Sequence, residues 1–285
     1  MKLYLSMFAI LLVGIIFFTQ LDYLISGGRI NRGTYGKNNK VLSLLFLVGV
    51  TIMLVYVAGN RYGVGSDYYA YYSAFNLNIS SSFESGYVHL QNLFTADNNP
   101  FNVFTVFLSL LTVGMISASI WISGSSAYLA MYLYFTTYLY FYSMNGMRQF
   151  LAMSMITLAT ALTFKITRNV FIRILLLCVL TPLIANYHAS VNLVLPVLII
   201  AVLLSVAKEK VYGKIFWFGM ILAILMPSIN IEGILQTSLF EGFIGKYTGY
   251  LDSSLNNRLD MAHLLQMYAK LAVMGVVRVQ LCAEC

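Results

Sequence analysis

The sequence predicts an all-α fold, a polytopic transmembrane helical bundle of about 8–9 spanning helices with two long extracytoplasmic loops carrying short interfacial helices. Composition is the first observation behind this. Sixty per cent of the residues are apolar or aromatic and 9% are charged, against roughly 25% charged in a soluble globular domain. Distribution is the second, because the apolar residues fall in long runs separated by short polar punctuation. The third is that most Lys and Arg lie in the short connections between those runs. The bilayer, not water, is the solvent such a chain can cover itself against.

The first run, residues 3–25, continues to Ile25 with no small-residue cleavage site after it, so it is read as a retained helix and not a signal peptide. The second helix covers residues 39–58. Residues 59–100 alternate Tyr-rich amphipathic pieces with Asn and Ser clusters, which predicts short helices lying at the interface after Ser66 and after Ser82. Further spans fall at 101–121, 127–145, 148–164, 170–187, 189–206 and 215–231. A second long loop follows over 232–261, and a weaker ninth span, interrupted by Lys270, over 262–279. The chain is accordingly taken as a single integral membrane domain, 1–285. Its closing stretch, Val-Arg-Val-Gln-Leu-Cys-Ala-Glu-Cys, resembles neither a helix end nor a loop, and the C-terminus is read as truncated.

Positive residues are retained on the cytoplasmic side during insertion, which orients the bundle. Arg29, Arg32, Lys37 and Lys40 occupy the first connection, Lys165, Arg168 and Arg173 flank the fifth, and Lys208, Lys210 and Lys214 the seventh. Odd connections are therefore inside and even ones outside. The third connection carries no charge, and Lys2 is a small exception at the N-terminus. The even connections hold Arg61, Asp67, Glu84 and Asp97, then Arg148, then His188, then the segment Glu232 to Asp260. Every polar constellation thus gathers on the extracytoplasmic face of a multi-pass membrane protein.

Several function classes drop out. The net charge of +7 is topological: no basic stripe or aromatic RNA-binding motif accompanies it, so nucleic acid is not a partner. No His-x-x-x-His, paired Asp motif or ligand-spaced Cys cluster appears, so no metal or other cofactor is expected. The terminal Cys282-x-x-Cys285 lacks a second ligand pair and is a bystander. A phosphate-binding loop of nucleotide hydrolases is also absent.

Arg61 opens Arg61-Tyr-Gly-Val-Gly-Ser-Asp67-Tyr68 just past the second helix. Alone it reads as an interfacial anchor; beside Gly63 and Gly65, whose backbone admits close approach, it also suits an anion. Arg148 follows a connection so short that its guanidinium must stay at the membrane edge, against the positive-inside bias. A half-buried Arg needs an acceptor, either an ion pair with Asp67 or Glu84 or a substrate phosphate gripped by the planar fork. Asp67 and Glu84 suit helix capping and, in a desolvated site, general-base work on a sugar hydroxyl. His188, in Asn186-Tyr-His-Ala-Ser190, is either a satisfied structural imidazole or a proton shuttle or phosphate contact. The tyrosines of residues 127–145 are read as packing and interfacial anchors.

Four segments, Arg61 to Tyr72, Glu84-Ser-Gly86-Tyr87, Met147-Arg148-Gln149-Phe-Leu-Ala152 and His188-Ala-Ser190, stand in an order and spacing that resembles EpsG-type proteins, the Wzy-like polymerases of exopolysaccharide, capsule and O-antigen systems. Ser85 and Ala189 stand where that resemblance would place proline. The resemblance implies a metal-independent glycosyltransferase joining repeat units carried on polyprenyl diphosphate. Arg61 and Arg148 would bind the diphosphate, Asp67, Glu84 and His188 would be catalytic, and Gln149, Tyr68 and Tyr72 supporting. Its implied partners are the polyprenyl-diphosphate-linked oligosaccharide, membrane lipids, and a chain-length regulator, flippase and other assembly proteins. A transporter or flippase of lipid-linked saccharides is the alternative, and would place polar residues near the midplane at broken helices. A ligase using the same donor, or a non-catalytic scaffold, are the others.

Overall fold

A computed structural model describes residues 2–25, 39–65, 67–77, 83–96 and 100–206. The chain divides into two compact units, Met1–Val206 and Ala207–Cys285, and the described residues all belong to the first. The predicted spans at 215–231 and 262–279, the loop at 232–261 and the C-terminal cysteines lie outside the described residues, as do Arg29, Arg32, Lys37 and Asp97.

The described residues form helices and no strand: α1 (Lys2–Ile25), α2 (Lys40–Gly59), α3 (Tyr68–Asn76), α4 (Ser85–Thr95), α5 (Phe101–Ser123), α6 (Ala127–Thr136), α7 (Leu139–Asn145), α8 (Met147–Ile166), α9 (Val170–Ala185), a 3₁₀ segment (Ala189–Val194) and α10 (Leu195–Leu204). Four of them, α1, α2, α5 and α8, are long and apolar enough to cross a bilayer, and Val170–Ala185 and Ala189–Leu204 are shorter apolar helices. The protein is an integral membrane protein. The two short helices expected in residues 59–100 are present as α3 and α4.

Helix α5 is the central post. Lipid offers no hydrophobic drive for helix association, so close packing and small polar pairs must hold the spans together. Thr51 and Ser117 share a hydrogen bond of 2.6 Å between α2 and α5, and the Thr105 hydroxyl donates to Gly59 O at 2.8 Å. On the other side of α5, Phe101, Phe104 and Leu108 pack with Met147 and Leu151 of α8, together with Tyr68, Phe75 and Tyr87 of the two short helices. A separate cluster joins α1, α2, α6 and α7 through Met7, Phe46, Leu54, Met131 and Tyr140.

Two spans depart from the sequence reading. Residues 127–145 were expected as one helix and form two, α6 and α7, because Tyr138 takes a left-handed conformation with φ 63°. The break carries no Pro or Gly. The consecutive hydroxyls Thr136 and Thr137 bond back to Tyr132 O and Leu133 O, the kind of local competition that bends a helix. A left-handed non-glycine residue costs on the order of 1–3 kcal/mol. The rotation it produces is compensated by Tyr140, which becomes fully buried and donates to Leu54 O of α2 at 2.8 Å. Residues 189–206 likewise begin as 3₁₀ and become α-helical only at Leu195. Pro196 has no N–H and its ring crowds the carbonyl four residues back, so it suits the first turn of an α-helix, the place it takes in α10.

Charges separate between the two ends of this unit. Arg61, Glu84, Arg148 and His188 share one end, where α2, α7 and α9 finish and α4, α5 and α8 begin. Lys40, Lys165, Arg168 and Arg173 lie at the other end. There the Arg173 guanidinium is buried, donating to Thr167 O and the Ser205 hydroxyl and stacking 4.3 Å from the Phe164 ring centroid.

Candidate functional site

Three segments remote in sequence meet at the first of those ends. Arg148 is the second residue of α8, where the short connection after α7 leaves it no room to leave the bundle edge. Its Nη1 donates to Glu84 Oε2 at 2.5 Å, and both side chains are about four-fifths buried. The guanidinium also lies 4.1 Å from the Phe83 ring centroid, with Tyr87 and Tyr71 at 5.8 and 6.0 Å. Of the two partners the sequence allowed for Arg148, Glu84 is the one the fold supplies.

Glu84 is fixed from its other side as well. Its Oε1 accepts from the Ala189 N–H at 3.3 Å. Proline, which the resemblance would place at 189, has no N–H and could not make this bond. The junction between α4 and α9 is held by Gly86, whose N–H donates to Asn186 O at 2.9 Å. A Cβ on Gly86 would stand 2.9 Å from that oxygen and 3.1 Å from its carbonyl carbon. The glycine of the Glu84-Ser-Gly86-Tyr87 segment is therefore required by a backbone contact. Gly86→Ala is expected to lower stability by about 1–3 kcal/mol, the usual cost of overpacking, and thermal unfolding in detergent would measure it.

His188 lies one residue from the Glu84 contact. Its Nδ1 accepts from the Ser190 N–H at 3.3 Å and sits 2.7 Å from the Ser190 hydroxyl. An accepting Nδ1 assigns the proton of the neutral ring to Nε2. Burial lowers the His188 pKa, the Glu84 carboxylate opposes that shift, and Arg148 adds to it. The sign of the linkage follows directly. With its folded pKa below 6.5, the unfolded chain binds more protons in the window between the two values, so stability is full above 6.5 and declines as pH falls through that window. The melting temperature is thus expected to drop as pH is lowered from 7.5 to 5, and His188→Gln to flatten that dependence. An unchanged slope in the variant would show that another group titrates.

Arg61 is held by helix ends of its own. It is 9% exposed and donates through Nη1 to Ala58 O and through Nη2 to Met144 O, both at 2.8 Å. It thereby joins the carbonyl ends of α2 and α7, where a cation complements the helix dipoles. Burial lowers its pKa from the ordinary arginine value, the surrounding Tyr140, Tyr68, Tyr87 and Tyr71 opposing. Nε of Arg61 and Nε of Arg148 are both buried without a hydrogen-bond partner. Tyr87 feels both cations, and burial nevertheless holds its phenol well above the ordinary pKa. Gly65, with φ 104°, lets the loop after Arg61 press on Asn145, whose Oδ1 leaves no room for a Cβ there. The close approach at Gly65 is to the protein's own α7, and at Gly63 to the Tyr69 hydroxyl of α3.

The fold thus brings Arg148, Glu84 and His188 together and places Arg61 within electrostatic range of the same Tyr71 and Tyr87. Asp67 stands exposed before α3 with no side-chain capping bond. Gln149 is exposed in the first turn of α8. Tyr68 is buried, stacking on Tyr72 at 6.2 Å and meeting Phe101 edge-on at 5.6 Å, while Tyr72 remains 40% exposed. Among the described residues no three His, Cys, Asp or Glu side chains converge as a metal site would require. Phe83 and the backbone donor of Ala189 also belong to the site, as does Ser190, which the sequence marks only as part of the His188-Ala-Ser190 segment and with no role of its own. Only adjacency to Glu84 and His188 could have flagged them, since a ring face and an amide carry no sequence signature of their own.

Among curated proteins none matches the chain, and among solved structures none does. The sequence pattern of the EpsG family matches residues 44–279, which takes in Arg61, Glu84, Arg148 and His188 together with most of the chain. The chain belongs to the EpsG family.

Proposed function

We propose that this protein is a glycosyltransferase that polymerises polyprenyl-diphosphate-linked oligosaccharide repeat units at the outer face of the cytoplasmic membrane, in exopolysaccharide, capsule or O-antigen biosynthesis. Family membership supports a role of the polysaccharide-polymerase type. The observation that carries the reading is the convergence of Arg148, Glu84 and His188 from three separate segments at one end of the membrane-spanning unit. A lipid diphosphate lies at headgroup depth, the depth at which an arginine at the start of a span is found. When the glycosidic bond breaks, the departing diphosphate gains negative charge, and a positioned guanidinium stabilises that state more than the ground state.

In this reading Arg148 grips the donor diphosphate and Arg61, near the same tyrosines, adds positive potential. Displacement of Glu84 from Nη1 by the diphosphate frees a carboxylate beside the reacting centre. Glu84, or Asp67 from the start of α3, then takes the proton of the acceptor hydroxyl. Neutral His188 offers its Nε2–H to a phosphate or sugar oxygen, and Gln149, Tyr68 and Tyr72 support the bound glycan.

The break between α6 and α7 is the feature a transporter of lipid-linked saccharides would share. Three of its polar groups are already engaged: Thr136 and Thr137 on their own helix, Tyr140 on α2. No charged residue lies in residues 127–145. Gel analysis of glycan from a strain lacking the gene separates the readings. Single repeat units accumulating on the outer leaflet support a polymerase; accumulation on the inner leaflet means a flippase, and full-length polymer left unattached to its final acceptor means a ligase.

A further inference from the structure

An elongated groove of about 680 Å³ runs between α5, α8 and the segment from Val194 to Leu198. Its volume is in the range of sites that enclose small organic ligands. On α8 it follows Met153, Ile156, Thr157, Thr160, Ala161 and Phe164 to Lys165, about 18 Å of helix at 1.5 Å per residue. These positions recur at three- and four-residue intervals and so share one helix face. Continued one turn upstream, that face reaches Gln149, the neighbour of Arg148. The opposite wall includes Val194, at the end of the 3₁₀ segment that begins beside His188. Both walls therefore run from the Lys165 end of the unit toward the Arg148, Glu84 and His188 cluster, the α8 wall stopping one turn short of Gln149.

The chemistry of the walls selects the occupant. Ile116, Ile120, Met153, Ile156 and Leu198 are apolar. The hydroxyls that line the groove are turned back on their own helices: Thr157 donates to Met153 O, Thr160 to Ile156 O, Ser119 to Met115 O and Ser123 to Ile120 O, all at 2.6 to 2.9 Å. With their protons engaged, the threonines present methyl groups and ask no hydrogen bond of what lies against them. Lys165 supplies a charge at the far end; between Met153 and Phe164 a sugar or a column of water would leave its own polar groups unmatched. A long hydrocarbon chain would not.

We infer that this groove binds the isoprenoid tail of the same lipid whose diphosphate is held at Arg148, so that headgroup and tail are read by adjacent turns of α8. The inference rests on the proposed role of Arg148. The groove would fix the donor's lateral position and let the enzyme prefer a polyprenyl carrier to a two-chain phospholipid.

The direct test is photo-crosslinking of the full-length protein in lipid nanodiscs, using polyprenyl phosphate with a diazirine near the end of its tail and mapping adducts by mass spectrometry. Adducts are expected on α8 between Met153 and Phe164 and on Leu198, lost on adding unlabelled polyprenyl phosphate but not phosphatidylglycerol. Adducts elsewhere, equal competition by the phospholipid, or no labelling of the groove overturn the inference. A cellular measurement complements it. Ala161→Trp, at normal protein level, is expected to reduce polymer at least tenfold. Normal polymer with Ala161→Trp would overturn the tail site while leaving the reading of Arg148 intact. Groove labelling in a protein whose deletion leaves polymer unchanged would do the reverse.

Discussion

Replacing Arg148 by lysine is expected to lower glycan transfer by about 100- to 1,000-fold, the usual loss when one positioned donor to a developing oxyanion is removed. Lysine keeps the charge and loses the planar fork, so the substitution separates charge from geometry. The cost to folding should be smaller. Arg148 gives up one charge-assisted hydrogen bond to Glu84 and its stack on Phe83, and a hydrogen bond to a charged group is worth about 1.5–3 kcal/mol. Polymer length and yield must therefore be compared at matched membrane protein levels, with Arg148→Ala alongside. Wild-type polymer from Arg148→Lys would exclude a bidentate diphosphate contact and leave the Glu84 pair as a structural bridge.

Glu84→Gln carries the second large effect. Glutamine preserves the size of the side chain and an acceptor for the Ala189 N–H, so α4 should remain docked through Gly86 and Asn186. What disappears is the negative charge and the capacity to take a proton. If Glu84 is the general base, transfer should fall by about 100- to 10,000-fold with little change in melting temperature. Glu84→Ala should lose activity and also stability, because it strands the Arg148 guanidinium in a largely buried setting. Near-normal transfer by the glutamine variant would assign Glu84 to positioning alone and move the search for the base to Asp67.

Legibility in the sequence followed the range of the interaction involved. The long spans α1, α2, α5 and α8 were visible because the bilayer imposes a length and an apolar composition on any helix that crosses it. The short helices α3 and α4 could be placed because their starts follow polar clusters. The break at Tyr138 was invisible, since neither neighbour is Gly or Pro and the conformation is stabilised by Tyr140 reaching Leu54 on another helix. In residues 189–206, Pro196 marks the first turn of α10, a signal that an apolar run conceals.

The candidate site divides the same way. By itself the sequence determined that Arg61, Glu84, Arg148 and His188 belong to one end of the bundle, because the number of crossings between them is a matter of hydrophobic length. It could not choose between Asp67 and Glu84 as the partner of Arg148, nor show that Arg61 would cap α2 and α7. Those choices required the tertiary structure. Hydrophobicity sets the depth of a residue in the membrane, but a hydrogen bond forms only over about 3 Å, and which groups come that close depends on the rotation and packing of helices far apart in the chain.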